Sequence, residues 1–275
     1  MKLNNELFMR NYELLINTED KKGEALKIVP PFRISFDISK STDKKLNKGT
    51  IKIYNLSETT RNQLLKDEDE KKYMQVILKC GYSELGDAFK GDIYSSYVSR
   101  EGTDIVITLN CIDGGYDLVH SHTCKTVKSK KESVNTILED MPHIKKGFIT
   151  KQIEGFRPRV LVGNSSRLLE SIVRDGELFF FENEKAYIVK KDEPVSDLTP
   201  LISSSTGMIG VPTEKQKKIV FNTLINTDLR LHGLCKIESQ LNKRINGIYL
   251  IDTIKYKGDF DGGEWSQTVQ CKRHK

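Results

Sequence analysis

The sequence predicts a mainly β fold with a small α+β module, arranged as two barrel-like β domains flanking a helix-hairpin module. Three observations carry this reading. Phe32, Ile34, Phe36 and Ile38 alternate with Arg33, Ser35, Asp37 and Ser39, the period of a strand with one buried face. Between Tyr116 and Val189 the apolar spacing changes to that of helices followed by a hairpin. Alternation then resumes in runs at 218–224, 234–239, 248–257 and 265–272. The boundaries that follow are 1–115, 116–195 and 196–275.

In chain order, residues 12–16 and 26–29 form a hairpin pattern around the polar stretch 17–23, and Pro30 and Pro31 break it because neither donates to a ladder. After the strand at 32–39, the polar loop 40–49 returns the chain to Ile51 and Ile53. Ser57 then opens a short helix, since its hydroxyl can accept from the free amides of the first turn, with Glu58 at the positive end and Leu64 and Leu65 on the apolar side. A charged run at 66–72 leads to the alternating Met74, Val76, Leu78 and Cys80. Gly91, inside the next strand, predicts a bulge or a close backbone approach. A turn at 100–104 precedes the strand 105–112. Five or more antiparallel strands of this kind avoid bare edges by curling into a barrel.

Ser129 and Glu132 read as a capping box before the face Val134, Ile137, Leu138 and Met141, and Pro142 stops that helix. A second helix starts near Asn164 to Ser166, buries Leu168, Leu169, Ile172 and Val173, and meets Gly176 past its end. A hairpin follows, with a tight turn at 182–185, then a linker at 192–200. Residues 206–212 hold two glycines and a proline and are expected to be an irregular loop.

Composition narrows function by exclusion. A chain of 275 residues has room for a sizeable core. The net charge of +6 comes from lysines dispersed in pairs such as Lys44-Lys45, Lys71-Lys72, Lys145-Lys146 and Lys217-Lys218. Dispersed pairs are solvated faces, not the single basic stripe of a specific nucleic-acid binder. Cys80, Cys111, Cys124, Cys235 and Cys271 are odd in number and far apart, so no disulfide framework is expected. No run approaches the ~20 apolar residues of a spanning helix, and the N-terminal residues show no charged-then-apolar signal pattern.

The order of several short motifs resembles the baseplate hub proteins of long-tailed bacteriophages. The motifs are Ile51-Lys52-Ile53-Tyr54-Asn55-Leu56-Ser57, Gly81-Tyr82, Phe89-x-Gly91-x-Ile93, Gly102-Thr103-Asp104 and Asp113-Gly114, then Gly163 to Leu169 before a hairpin. The C-terminal part adds Thr206-Gly207 to Pro212, Leu224-Ile225-Asn226, Gly233, Gly247-Ile248-Tyr249, Gly258-Asp259 and Trp265. Tyr256 departs from the histidine common there in such hubs. The resemblance implies two tube-like β domains per subunit and a homotrimeric ring joining a sixfold tail tube to a threefold central spike. Tail tube protein and central spike protein are then the partners, with the tape-measure protein as a further candidate. The genome would pass through the ring, without stable membrane insertion. The place implied is the virion tail, and the host cytoplasm during assembly.

Chemistry is sparse. His120, His122 and Cys124 alternate but lack a fourth ligand at usable spacing, so a strand with surface histidines is the reading taken and no metal is assigned. Gly163 to Ser166 reads as a helix cap, without the lysine-bearing glycine loop of nucleotide sites. No nucleophile elbow or His-Glu-x-x-His occurs, so no catalytic residue and no cofactor are assigned and the chain is read as a non-enzyme. Abundant carboxylates keep a carbohydrate- or cell-wall-acting β protein as the second reading. Ile93, Tyr94 and Tyr97, in the alternating segment 89–98, are the candidate subunit interface.

Overall fold

The computed structural model describes residues 9–17, 25–43, 46–65, 74–150 and 158–274. Most of the polar stretch 17–23, the charged run 66–72 and the pairs Lys44-Lys45 and Lys71-Lys72 lie outside the described residues. The first part contains β1 (Asn11–Ile16), β2 (Leu26–Ile28), β3 (Ile34–Ser41), β4 (Lys48–Tyr54), α1 (Glu58–Leu64), β5 (Met74–Gly81), β6 (Leu85–Glu101) and β7 (Asp104–Ile112). The middle part contains α2 (Gly115–His120), β8 (His122–Val127), α3 (Lys130–Glu139), β9 (Lys145–Ile149), β10 (Arg159–Asn164), α4 (Ser165–Ile172), β11 (Glu177–Phe181) and β12 (Lys185–Lys190). The last part contains β13 (Leu201–Ser203), β14 (Met208–Lys215), β15 (Lys218–Leu224), β16 (Leu234–Glu238), β17 (Gly247–Asp259) and β18 (Trp265–Arg273).

The fold is mainly β, but the two expected barrels are not closed and not separate. Thirteen strands form one sheet whose main path runs β14-β15-β18-β17-β3-β4-β7-β6-β5-β1-β2. The halves join where β17 pairs with β3, from Thr253 opposite Ser41 to Asp259 opposite Ser35. An edge that closure would have hidden is thereby covered by the other half of the same chain.

The halves repeat one topology. β3-β4-β7-β6-β5 and β14-β15-β18-β17-β16 are the same five strands in the same spatial order. They share an irregularity as well. The β6–β7 register shifts between Ile93 and Ser95, just past the Ile93–Cys111 pair. The β17–β18 register shifts between Ile251 and Thr253, just past the Ile251–Cys271 pair. Ile93 therefore corresponds to Ile251 and Tyr94 to Asp252, although no sequence repeat is visible.

Local chemistry explains the starts of two helices. Ser57 Oγ accepts from Thr60 N at 3.2 Å and starts α1, a cap worth about 1 kcal/mol. At α3, Ser129 Oγ accepts from Glu132 N, but Glu132 Oε2 takes the amide of Lys128 and not that of Ser129, so the expected capping box is offset by one residue. Residues 206–212 correct the reading of a loop: they lie largely in edge strand β14, whose register with β15 breaks between Ile209 and Thr213, around Gly210 at φ 71°. One core packs the inner faces of both halves, including Phe36, Phe89, Phe221 and Tyr256. A smaller one lies under α3 and α4, with Ile137, Met141, Leu169 and Ile188.

Candidate functional site

The turn between β11 and β12 holds both halves of the sheet. Glu182 and Lys185 exchange backbone hydrogen bonds at 2.9 and 3.1 Å, and Asn183 and Glu184 between them have φ of 52° and 59°. This is a type I′ turn, whose twist matches that of the flanking strands. Its tip is sunk into the protein. Asp113, which is 1% exposed, accepts from the amides of Asn183 and Glu184, both at 2.7 Å, and from Asn47 Nδ2 at 3.1 Å. Asn183 Oδ1 accepts from Lys40 Nζ at 2.8 Å and from Lys90 N at 3.3 Å. Gln75 Nε2 donates to both carboxylate oxygens of Glu184, at 2.8 and 2.9 Å. Glu182 Oε1 accepts from Leu231 N in the last third of the chain at 3.3 Å and stands 3.9 Å from Lys40 Nζ.

Burial dominates the electrostatics of this cluster. It lowers the pKa of the Lys40 ammonium, against the attraction of Glu182 and Asp113. It raises the Asp113 carboxyl, against the hydrogen bonds from Glu184, Asn47 and Asn183 and the charge of Lys40. It raises Glu182 too, with Lys40 opposing. Removing one member of such a set leaves an uncompensated charge, which costs roughly 3–5 kcal/mol. The arrangement suits holding elements together, because its groups are spent on one another.

The second feature is the outer face of the joined sheet. Ser35, Asp37 and Ser39 of β3 lie beside Lys48, Thr50 and Lys52 of β4 and Lys255 and Lys257 of β17. Thr268 and Gln270 of β18 and Asn222 of β15 continue the face. Side chains bridge the strands: Thr268 Oγ1 donates to Asn222 Oδ1 at 2.7 Å, and Asn110 Nδ2 donates to Ser95 Oγ at 3.0 Å. Several lysines are matched by acids, such as Lys52 with Glu101 at 2.6 Å and Lys218 with Asp252 at 3.1 Å. The face is hydrophilic without being strongly basic.

The sequence-derived interface residues separate. Ile93 is 0% exposed and packs in the chain's own core between Met74 and Cys111, so as a surface contact it is corrected: its position in the pleat points it inward. Tyr94 and Tyr97 are 40% and 52% exposed, on the part of β6 that runs past its pairing with β5. The strand expected to carry all three of His120, His122 and Cys124 begins only at His122: His120 ends α2, its ring 4.9 Å from that of Tyr116 and tilted by 41°, while His122 and Cys124 are exposed on β8. Among the described residues no group of three or more His, Cys, Asp or Glu stands ready to hold a metal. Asn164 Oδ1 caps α4 by accepting from Arg167 N at 3.2 Å. In the sequence Asp113 stands out only as part of the Asp113-Gly114 motif. Its signal was a carboxylate closing an apolar strand, but its partner turn lies 70 positions onward, beyond any local pattern.

The family described as Baseplate hub gp41 matches residues 16–261. The chain belongs to that family. The hub is thus a structural component of a phage tail baseplate. No curated protein sequence matches it. Among solved structures, a 43 kDa tail protein of prophage MuSo2 from Shewanella oneidensis superposes with TM-score 0.61 at 10% identity, covering 95% of the hub and 98% of that chain. A tail protein from Neisseria meningitidis gives 0.63 at 10% identity, covering 95% and 96%. An E. coli component of the type VI secretion system, itself described as similar to T4 bacteriophage tail proteins gp27 and gp5, gives 0.64 at 8% identity, covering 94% and 77%. At such identities the likeness is one of fold.

Proposed function

We propose that three copies of the hub close into a homotrimeric ring that joins a sixfold tail tube to a threefold central spike. The observation that carries this is the repeated five-strand unit: two units in each of three chains make six near-equivalent positions. Residues 1–115 and 196–275 act as the tube-like units and 116–195 as the module between them. The seam inside the chain supplies the pattern for the seam between chains. β17 leaves β16 and pairs with β3. The corresponding stretch of β6, residues 94–101, passes beyond β5. The strand corresponding to β3 is β14, which pairs only with β15 among the described residues. Residues 94–101 of one copy therefore meet β14 of the next, with Tyr94 and Tyr97 at the contact, and repeated in one sense this heterologous contact closes a ring.

In this arrangement the polar sheet face lines the bore. Serine, threonine and amide side chains, with matched charges, would let a polyanion pass without holding it, because strong retention needs many unmatched cations. Tail tube protein meets one end, central spike protein the other, and the tape-measure protein occupies the bore before ejection. The role is mechanical and calls for no catalysis. Native mass spectrometry of the purified protein, alone and with its spike, tests the reading. A trimer mass in either condition is expected; a protein that remains monomeric at high concentration with the spike present rules it out.

A further inference from the structure

The pairing inside the chain sets a register for the contact between copies, because each step of the correspondence between the halves is a ladder pair. Cys111 faces Gly49 and Cys271 faces Ile219, so Gly49 of β4 corresponds to Ile219 of β15. Gly49 faces Ile38 and Ile219 faces Glu214, so Ile38 of β3 corresponds to Glu214 of β14. Past the shared register shift, Ser95 and Thr253 face Asn110 and Gln270, and counting on from them makes Val98 of β6 the counterpart of Tyr256 of β17. Tyr256 faces Ile38 across the seam inside the chain. By the same rule Val98 of one copy faces Glu214 of the next, Tyr97 faces Lys215, and Ser99 faces Thr213.

The hydrogen-bond phase of both strands agrees with this register independently. Gln216 and Lys217, with φ of 51° and 64°, make a two-residue type I′ turn, so the closing pair Lys215–Lys218 is hydrogen-bonded and the next pair, Glu214–Ile219, is not. The N–H and C=O of Glu214 therefore point away from β15. Gly102, at φ 63°, opens a two-residue turn closed by the Glu101–Asp104 pair, and alternation from there makes Val98–Ile107 a non-bonded pair as well. The N–H and C=O of Val98 point away from β7. Inside the chain, Thr42 N donates to Asp252 O and Phe260 N to Ile34 O, both at 2.9 Å, and the same alternation makes Ile38–Tyr256 a hydrogen-bonded pair. Val98 and Glu214 of the next copy each present the two groups such a pair needs. Resting on the ring reading above, the geometry points to a main-chain ladder between copies centred on Val98 and Glu214, flanked by Tyr97–Lys215 and Ser99–Thr213 as non-bonded pairs. The turn at 216–217 ends this ladder on one side. On the other, the register of β14 breaks between Ile209 and Thr213, and Pro212 has no N–H to donate. The contact between copies is therefore shorter than the seam inside the chain, which runs from Thr253 to Asp259.

Paired cysteines in the full chain read the register, with the exposed native thiol removed by Cys124→Ser. Six strands of one chain separate β14 from β6, so a disulfide linking them joins two copies and shows as a higher mass on a non-reducing denaturing gel. Ser99→Cys with Thr213→Cys should give covalent trimers under oxidised glutathione, since a non-bonded pair holds its Cα atoms about 4.5 Å apart, within reach of a disulfide. Ser99→Cys with Lys215→Cys sets the thiols on the diagonal, about 7–8 Å apart, and should link at least about tenfold more slowly. Val98→Pro removes an N–H that the β7 ladder does not use, and should raise the dissociation constant of the trimer at least about tenfold. Far-UV circular dichroism establishes that this variant folds, and the cysteine pairs carry the test should it fail to. A trimer in native mass spectra that links through Lys215 as readily as through Thr213, or through neither, overturns the register and leaves the ring standing. So does a folded Val98→Pro chain that assembles like its parent. A protein that stays monomeric with the spike present overturns the ring reading, and this register with it.

Discussion

Gly91 shows how a single position ties strand, turn and module together. A Cβ there would lie 2.4 Å from the Ile112 carbonyl oxygen and 2.9 Å from Asp113 Cα, and backbone atoms have nowhere to move. Gly91→Ala is expected to cost about 1–3 kcal/mol in urea unfolding, with the strain passed to Asp113 and the turn it holds. Glu184 predicts a pH dependence. Burial holds its carboxyl above the ordinary value of 4.5, with the Gln75 hydrogen bonds opposing. The folded chain therefore binds that proton more tightly than the unfolded one, and the stability linked to it is present at low pH and lost as pH rises through the raised value. Glu184→Gln keeps the shape and removes the titration. Its melting temperature relative to the parent should rise from about pH 4 to neutral, and parallel melting curves across that range would contradict the assignment. The close approach at Gly91 was legible because a lone glycine in an apolar strand has few other causes. The burial of Asp113 was not, because nothing near it in sequence announces its partner.

At the scale of elements, strands with one face in the core were readable and the rest were not. β3, β4 and β5 alternate because one side of each is buried. β14 escaped because it is an edge with Ile209 and Val211 43% and 45% exposed, interrupted by Gly210 and Pro212. β10 carries Val160 and Val162 at 65% and 66% exposure, so its apolar residues mark no core face. β9 pairs in parallel with β12, a partnership with no turn to signal it. The same distinction separates two substitutions on β6. Ile93→Asp puts a carboxylate into the chain's own core and should abolish folding, seen as loss of soluble protein and of the β signal in circular dichroism. Tyr97→Asp changes an exposed side chain and should leave folding intact while weakening the trimer in native mass spectra. Equal loss of fold in both variants would remove Tyr97 from the interface.

The continuity of the sheet decides how the whole molecule unfolds. A three-part reading of the sequence suggests three units melting independently, because each stretch has its own pattern and β17 gives no sign of its partner β3. In the folded chain Ile254 and Tyr256 of β17 are buried beside Lys40 and Ile38 of β3. The turn at 182–185 bonds residues on both sides of that seam. Opening either half would strip the other of a paired edge and leave Lys40 or Glu182 buried without its partner, a penalty of several kcal/mol against a total stability of about 5–15 kcal/mol for a typical protein. Separate melting of the two β halves is therefore disfavoured even where each would be marginally stable alone. Calorimetry should show the halves unfolding in one transition, with residues 196–275 expressed alone failing to give a cooperative melt. Among the described residues, the small core under α3 and α4, whose buried side chains are separate from those of the main one, has the independence to loosen first. Two resolved transitions assigned by hydrogen exchange to the first and last thirds of the chain would mean that the β17–β3 seam is weaker than its burial implies.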